Sequence, residues 1–245
     1  MIIFPAIDLK DGRCVRLTRG EMATATVFND DPGAQARAFA DAGFQWIHCV
    51  DLNGSFEGRS ANSEAILKIR AAVSLPVQLG GGIRDMAAIE QWLAAGISRV
   101  VLGTAALKNP ALVKDAARRF PKQIVVAADA RGGKVATEGW AEVSDMTPVE
   151  LAKRFEDAGV AAILFTDVDG DGLLGGVNVK ATAALANSVR IPVIASGGVG
   201  SIADLDALIA ANEPNIEGVV VGRALYDGRI DPAQALARPN TVRST

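Results

Sequence analysis

The stretch 39-FADAGFQWIHCVDLNG-54 returns later in the chain as 155-FEDAGVAAILFTDVDG-170. Asp51 falls on Asp167 at an offset of 116, and the same offset carries 75-LPVQLGGGIRD-85 onto 191-IPVIASGGVGS-201. Further out, 7-IDLKDGRCV-15 matches 128-ADARGGKVA-136, so Asp8 meets Asp129, and 101-VLGTAAL-107 matches 220-VVGRALY-226. The matches keep one order, and their period is about half of the 245 residues, far too long for a solenoid. The chain therefore reads as two copies of one half-domain.

Each copy has the same rhythm. Short apolar runs, 2-IIFPAI-7, 46-WIHCV-50, 76-PVQL-79 and 99-RVVL-102, then 124-IVVAA-128, 161-AAILF-165, 192-PVIA-195 and 218-GVVV-221, read as strands of a parallel sheet covered on both faces. Helix-like segments lie between them, among them 32–43, 85–96, 148–159 and 201–211; several open on Asp, Ser or Pro and close on Gly. Eight strands with interleaved helices predict a single (β/α)8 TIM barrel made of two similar (β/α)4 half-barrels. An open doubly wound sheet is the alternative, weakened because no G-x-G-x-x-G opens a helix after the first strand. The barrel is expected over 1–240, with half-barrels at about 1–122 and 123–240. Residues 241–245 are expected to fray, since 239-PNTVRST-245 has no apolar pattern.

Composition narrows the function. Apolar residues make up 49% and charged residues 22%, enough for a full core. A net charge of −3 without a long basic run argues against a nucleic-acid surface. Cys14 and Cys49 form no C-x-x-C and fit a reducing compartment. Asp8 and Lys10 arrive too early for a signal-peptide apolar region, and no run is long enough for a membrane span. A cytoplasmic monomer is the expectation. His48 is the one histidine, so a multi-histidine metal site is excluded and proton transfer falls to carboxylates.

Four glycine-rich strings, 80-GGGIRD-85, 103-GTAA-106, 196-SGGVGS-201 and 222-GRAL-225, each follow a predicted strand and so open onto the catalytic face of a barrel. Glycine lets backbone N–H groups approach an anion, and a following helix N-terminus adds positive charge. One such string reads equally as a tight turn. As two repeat-related pairs they point to two phosphate cradles on opposite rims, formed by Gly81, Gly82, Gly103 and Thr104 and by Ser196, Gly197, Gly198 and Gly222. The matching partner is a small molecule with phosphate at both ends.

Asp8 and Asp129 end repeat-related strands and face each other across the mouth, where paired acids can move protons on separate atoms of a sugar. The string 167-DVDGDG-172 imitates the start of a calcium loop, but position twelve is Asn178 and the flanking helices are missing. It reads better as a polar loop over the site, with Thr166 at the strand end and Asp171 reaching in. Arg16, Arg19, Arg84 and Arg223 lie near the same face and offer forks to phosphate, or are solvated surface arginines. His48 either points into the barrel or is a hydrogen-bonded core imidazole. Trp140, in a polar loop, either stacks on a planar base or packs the loop.

Taken together, 4-FPAIDLKDGRCVRL-17, 78-QLGGGIRD-85, 103-GTAA-106, 138-EGW-140, 166-TDVDGDG-172, 195-ASGGV-199 and 222-GRALYDG-228 resemble the ProFAR isomerase family of histidine biosynthesis, over residues 1 to about 237. The resemblance implies an Amadori rearrangement of an aminoaldose, ProFAR, to the aminoketose PRFAR, without metal or redox cofactor. It implies Asp8 as general base, Asp129 as general acid, Thr166 in the same site, and Asp171 on a mobile loop sharing the acid role. The chain departs from the family pattern at Gly170-Asp171-Gly172-Leu173, at Asn53 and at Ala127-Ala128-Asp129. Three other functions stand beside it. One is the sister cyclase, imidazole glycerol phosphate synthase, which opens on Cys-Leu-Asp where this chain has Ala6-Ile7-Asp8. The others are a dual isomerase that also takes phosphoribosylanthranilate, and a non-catalytic barrel that binds phosphate ligands.

Overall fold

The computed structural model describes residues 1–18 and 20–238. Arg19 and the tail expected to fray lie outside them. The first half runs β1 (Ile2–Lys10), β2 (Arg13–Thr18), β3 (Glu21–Asn29), α1 (Pro32–Asp41), β4 (Ile47–Asp51), α2 (Leu52–Glu57), α3 (Ser63–Ala72), β5 (Val77–Gly80), α4 (Met86–Ala94), β6 (Arg99–Leu102), α5 (Thr104–Lys108) and α6 (Pro110–Arg119). The second half runs β7 (Ile124–Arg131), β8 (Lys134–Thr137), β9 (Glu142–Val143), α7 (Pro148–Lys153), β10 (Ala162–Asp167), α8 (Val179–Ser188), β11 (Val193–Ser196), α9 (Ile202–Ala210), β12 (Ile216–Val221), α10 (Arg223–Tyr226) and α11 (Pro232–Leu236). Strands β1, β4, β5, β6, β7, β10, β11 and β12 pair in parallel in that order, and β12 returns to β1. This is the closed (β/α)8 barrel, and the open sheet is excluded.

Strand alternation sorts the side chains into two cores. Ile3, Ile7 and Leu9 of β1 pack outward under the helices, while Phe4 and Ala6 join Val101, Val125, Ala127, Ala162, Leu164, Ile194 and Val220 inside the barrel. Beneath them Arg99 Nη1 lies 3.0 Å from Glu217 Oε1, and its guanidinium sits 4.7 Å from the Trp46 ring centroid. The same period continues upward. Asp8 follows Phe4 and Ala6, Asp129 follows Val125 and Ala127, and Thr166 follows Ala162 and Leu164. An apolar floor thus carries a polar layer at the strand ends. Each buried floor side chain of Val or Leu size contributes roughly 1.5–3 kcal/mol, which offsets the cost of burying the polar layer above it.

Helix boundaries follow local chemistry. Asp31 caps α1 by accepting from Gly33 and Ala34 N–H, and Asp85 caps α4 by accepting from Ala88 N–H. Helix α7 opens with a Thr147–Glu150 capping box but ends at Lys153 rather than running to Gly159. Arg154, Phe155 and Glu156 N–H each bond three residues back, to Leu151, Lys153's neighbour Ala152, and Lys153, so the expected helix finishes in tighter turns. Strands β2, β3, β8 and β9 are additions to the eight-strand plan: antiparallel hairpins that rise from β1 and β7. Among the described residues no helix is long and apolar enough to cross a membrane.

Candidate active site

Every candidate residue within the described chain lines one cavity at the carboxyl ends of the barrel strands. It contains Asp8, Asp129, Thr166 and Asp171, and also Arg16, His48, Arg84, Trp140 and Arg223. The rim glycines Gly81, Gly82, Gly103, Gly197, Gly198 and Gly222 are there too, with Thr104 and Ser196.

The two glycine pairs are built alike. Gly81 has φ +100°, and a Cβ there would lie 2.2 Å from the Asp51 carbonyl oxygen; Gly197 has φ +89°, and its Cβ would lie 2.5 Å from the Asp167 carbonyl oxygen. A side chain is barred at both by conformation and by space. Gly103 precedes α5 and Gly222 precedes α10, the short helices at the two rims. Gly222 is also tied to Arg16, since a Cβ at position 222 would stand 1.8 Å from Arg16 Nη2. Arg16 itself is held by Asp8, with Nη1 2.8 Å from Oδ2, and its Nε has no hydrogen-bond partner.

The other two described arginines are also engaged. Arg84 Nη2 donates to Glu138 and, at 3.1 Å, to the Ser55 carbonyl; Lys108 Nζ donates to the second Glu138 oxygen at 2.5 Å. Glu138 N–H in turn donates to Thr104 Oγ1 at 3.0 Å. Arg223 Nε pairs with Asp227 at 3.1 Å, and its Nη1 reaches the Gly172 carbonyl at 3.4 Å. Among the described residues, Arg16, Arg84 and Arg223 each have a carboxylate partner.

The carboxylates differ in company. Burial pushes the Asp8 carboxyl up, and the Arg16 guanidinium opposes it. Burial also pushes Asp129 up, opposed here by hydrogen bonds from Thr166 and Trp140, whose Nε1 lies 2.8 Å from Asp129 Oδ2. Asp171 is pushed up to about 6, first by burial; Arg16 works against this, and the Asp8 and Asp129 charges add to it. Its neighbours in the DVDGDG string face elsewhere: Asp167 accepts from Asn178 Nδ2 at 2.7 Å and Asp169 from Gly132 N–H at 2.9 Å.

His48 turns out to be both things its sequence position allowed. It lines the cavity, and its Nδ1 lies 2.9 Å from Gln78 Nε2 in the barrel core. Trp140 does not stand free as a stacking platform: besides its bond to Asp129, its indole lies over Gly20, where a Cβ would be 2.3 Å from the ring. Two residues had no part in the sequence reading. Glu138 lay within the EGW string, and its position one residue past β8 was hidden until the hairpin was known. Gln78 was detectable by parity, standing two residues before Gly80 on the inward face of β5.

The chain from residue 2 to 231 matches the family model described as histidine biosynthesis protein. It is 65% identical over 236 residues, 96% of this chain and 97% of the relative, to a protein of Parvibaculum lavamentivorans. It is 65% identical over 237 residues to one of Paramagnetospirillum magneticum, covering 97% and 98% of the two chains. A relative from Rhodopseudomonas palustris is 61% identical over 244 residues, with 100% of both chains covered. All three are named 1-(5-phosphoribosyl)-5-((5-phosphoribosylamino)methylideneamino)imidazole-4-carboxamide isomerase. With a family match over nearly its whole length and a barrel mouth that gathers two opposed aspartates between paired glycine cradles, the chain belongs to the histidine biosynthesis protein family.

Proposed function

We propose that this chain is an aldose–ketose isomerase of histidine biosynthesis that converts ProFAR to PRFAR by an Amadori rearrangement with aspartate acid–base catalysis. The observation that carries the reading is the pair of buried carboxylates at repeat-related strand ends. Asp8 stands beside a guanidinium and Asp129 beside two neutral donors, facing one cavity. Burial pushes both carboxyls toward the protonated form, as an acid requires of Asp129; at Asp8 the Arg16 cation opposes it, as a base requires, whereas at Asp129 only the neutral donors Thr166 and Trp140 do.

The course runs from these assignments. Asp129 gives its proton to the ribose ring oxygen, and the ring opens to a Schiff base. Asp8 then takes the proton from C2′, leaving an enolamine that becomes the ketone. Asp171 shares the acid role, since a carboxyl near pKa 6 holds a proton in part of the population near neutral pH. The glycine cradles hold the two terminal phosphates, Arg84 serving the first half's rim and Arg223 the second's.

The test is an absorbance assay of purified protein on ProFAR with Asp8→Asn and Asp129→Asn beside the parent. Each variant should lose about 10³-fold in kcat, the usual scale of one general acid or base. Full activity in either would remove its assigned role. Phosphoribosylanthranilate in the same assay separates a single-substrate isomerase from a dual one.

A further inference from the structure

Gln78 is a carboxamide in the barrel interior with none of its surface exposed. It does not line the cavity, its Oε1 has no hydrogen-bond partner, and its Nε2 lies 2.9 Å from His48 Nδ1. An apolar residue would avoid burying the orphan oxygen, so the packing of β5 gives no reason for a glutamine here. The contact with His48 does.

We propose that Gln78 is a positioning residue: its amide N–H donates to His48 Nδ1, which fixes the imidazole as the neutral tautomer whose Nε2–H points into the cavity as a donor to a sugar oxygen. The strand register sets the place. Ala6, His48, Gln78 and Arg99 are neighbours across β1, β4, β5 and β6, and Asp8 and Val50 are the pair two residues further up. His48 therefore sits one layer beneath the Asp8 carboxylate. Arg99 is the register neighbour of Gln78 on the side away from His48, but its guanidinium is paired with Glu217, so the imidazole is the partner that the Gln78 NH2 has. Burial, aided by Arg16, pushes the imidazolium pKa down to about 4, so the ring carries no charge at pH 7 and its one proton sits on the nitrogen that Gln78 leaves free. A neutral N–H beneath the base can hold an oxygen next to the carbon that Asp8 deprotonates, without itself taking or giving a proton.

The substrate side of this proposal rests on the isomerase reading; the tautomer does not. The chain contains one histidine, so a long-range proton–nitrogen spectrum of protein labelled in its imidazole nitrogens reports His48 alone. At pH 7 the parent should show a protonated Nε2 and a bare Nδ1. Gln78→Glu puts a carboxyl in the same fully buried place, where burial keeps it protonated, so its O–H should still donate to Nδ1 and leave the ring proton on Nε2. Gln78→Leu should leave both tautomers populated. Gln78→Leu should lose about tenfold in kcat, the size of one hydrogen bond made to the reacting sugar, and Gln78→Glu should keep most of the turnover. A parent ring protonated at Nδ1, or an imidazolium, overturns the assignment before any variant is made. Mixed tautomers in Gln78→Leu with kcat and KM both intact overturn the positioning role. Failure of the isomerase reading looks different: the parent leaves ProFAR unchanged whatever the ring spectrum reads.

Discussion

The two half-barrels share a frame and differ in what they hang on it. Asn62 Nδ2 donates to Asp51 at 2.7 Å, and 116 residues later Asn178 Nδ2 donates to Asp167 at 2.7 Å. Asp51 goes on to accept from Gly54, Ala61 and Asn62 N–H and from Ser60 Oγ, and it is fully buried. Asp167 keeps little beyond Asn178. The first half uses its carboxylate to pin the loop after β4, whereas the loop after β10 is held mainly by other groups, among them the Gly176 N–H on the Gly198 carbonyl and the Gly132 N–H on Asp169. At the position of Ser55 in the pinned loop, the second half has Asp171, the carboxylate that reaches the cavity.

A size exchange runs through the same loops. Gly58, φ +73°, lies under Arg84, where a Cβ would be 2.7 Å from Nη1. The equivalent pair in the second half is Leu174, φ +57°, over Gly200, where a Cβ would be 2.5 Å from the Leu174 carbonyl oxygen. Large and small have changed places while the left-handed backbone is kept. One half thereby presents a cation to the cavity and the other an apolar side chain. The comparison teaches that Asp8 and Asp129 differ through their neighbours. Their strand position is the same, but one faces Arg16 and the other Trp140 and Thr166.

The shared frame can be broken most severely at its glycines. Gly81→Ala and Gly197→Ala each force a side chain into a left-handed backbone and against a carbonyl, and each should lose about 3 kcal/mol. Urea unfolding measures both. Losses that differ greatly between the two would show that the halves do not share one construction.

The next test separates the halves. Asp51→Asn removes a buried charge with several donors and should cost about 2 kcal/mol. Asp167→Asn, more exposed and with fewer partners, should cost about 1 kcal/mol or less. Equal losses would mean that Asp167 ties its loop as firmly as Asp51 ties its own.

Much of this frame was legible in the sequence, because a parallel barrel writes its period into short apolar runs and a repeat writes it twice. The strand ends at Asp8, Asp129 and Thr166 follow from parity alone. The hairpins β2–β3 and β8–β9 did not show, since β3 is largely exposed and has no apolar stripe to read. The grip of Arg16 on Asp8, of Glu138 on Arg84, and the exchange between Gly58/Arg84 and Leu174/Gly200 were equally hidden. Each joins residues whose proximity depends on the closed barrel or on loop conformation, and composition carries no trace of either.

The neighbours of Asp8 and Asp129 can be removed one at a time. Arg16→Met leaves burial to act on Asp8 unopposed, so Asp8 should ionise only at higher pH and the acid limb of kcat should move up. Trp140→Phe removes a donor that favours ionised Asp129, so its proton should persist to higher pH and the alkaline limb should move up. If Arg16→Met moved the alkaline limb, or Trp140→Phe the acid limb, base and acid would have to be exchanged.

The smallest effect is at Asp171, the carboxylate the second half has where the first has Ser55. Its folded pKa of about 6 exceeds the ordinary value of 3.8, so the folded protein resists its ionisation. The favourable contribution is therefore full below about 3.8 and is lost as pH rises through 6. Asn at this position carries no charge at any pH and escapes that loss. Asp171→Asn should thus match the parent near pH 4 and become the more stable of the two by pH 7. Allowing for partial exposure, the gain is about 1 kcal/mol, or a Tm rise of about 2–4 °C. Thermal melts at pH 4, 5, 6 and 7 follow it. A Tm difference that stays flat across this range would mean that burial does not hold the Asp171 carboxyl protonated, and the acid role shared with Asp129 would go with it.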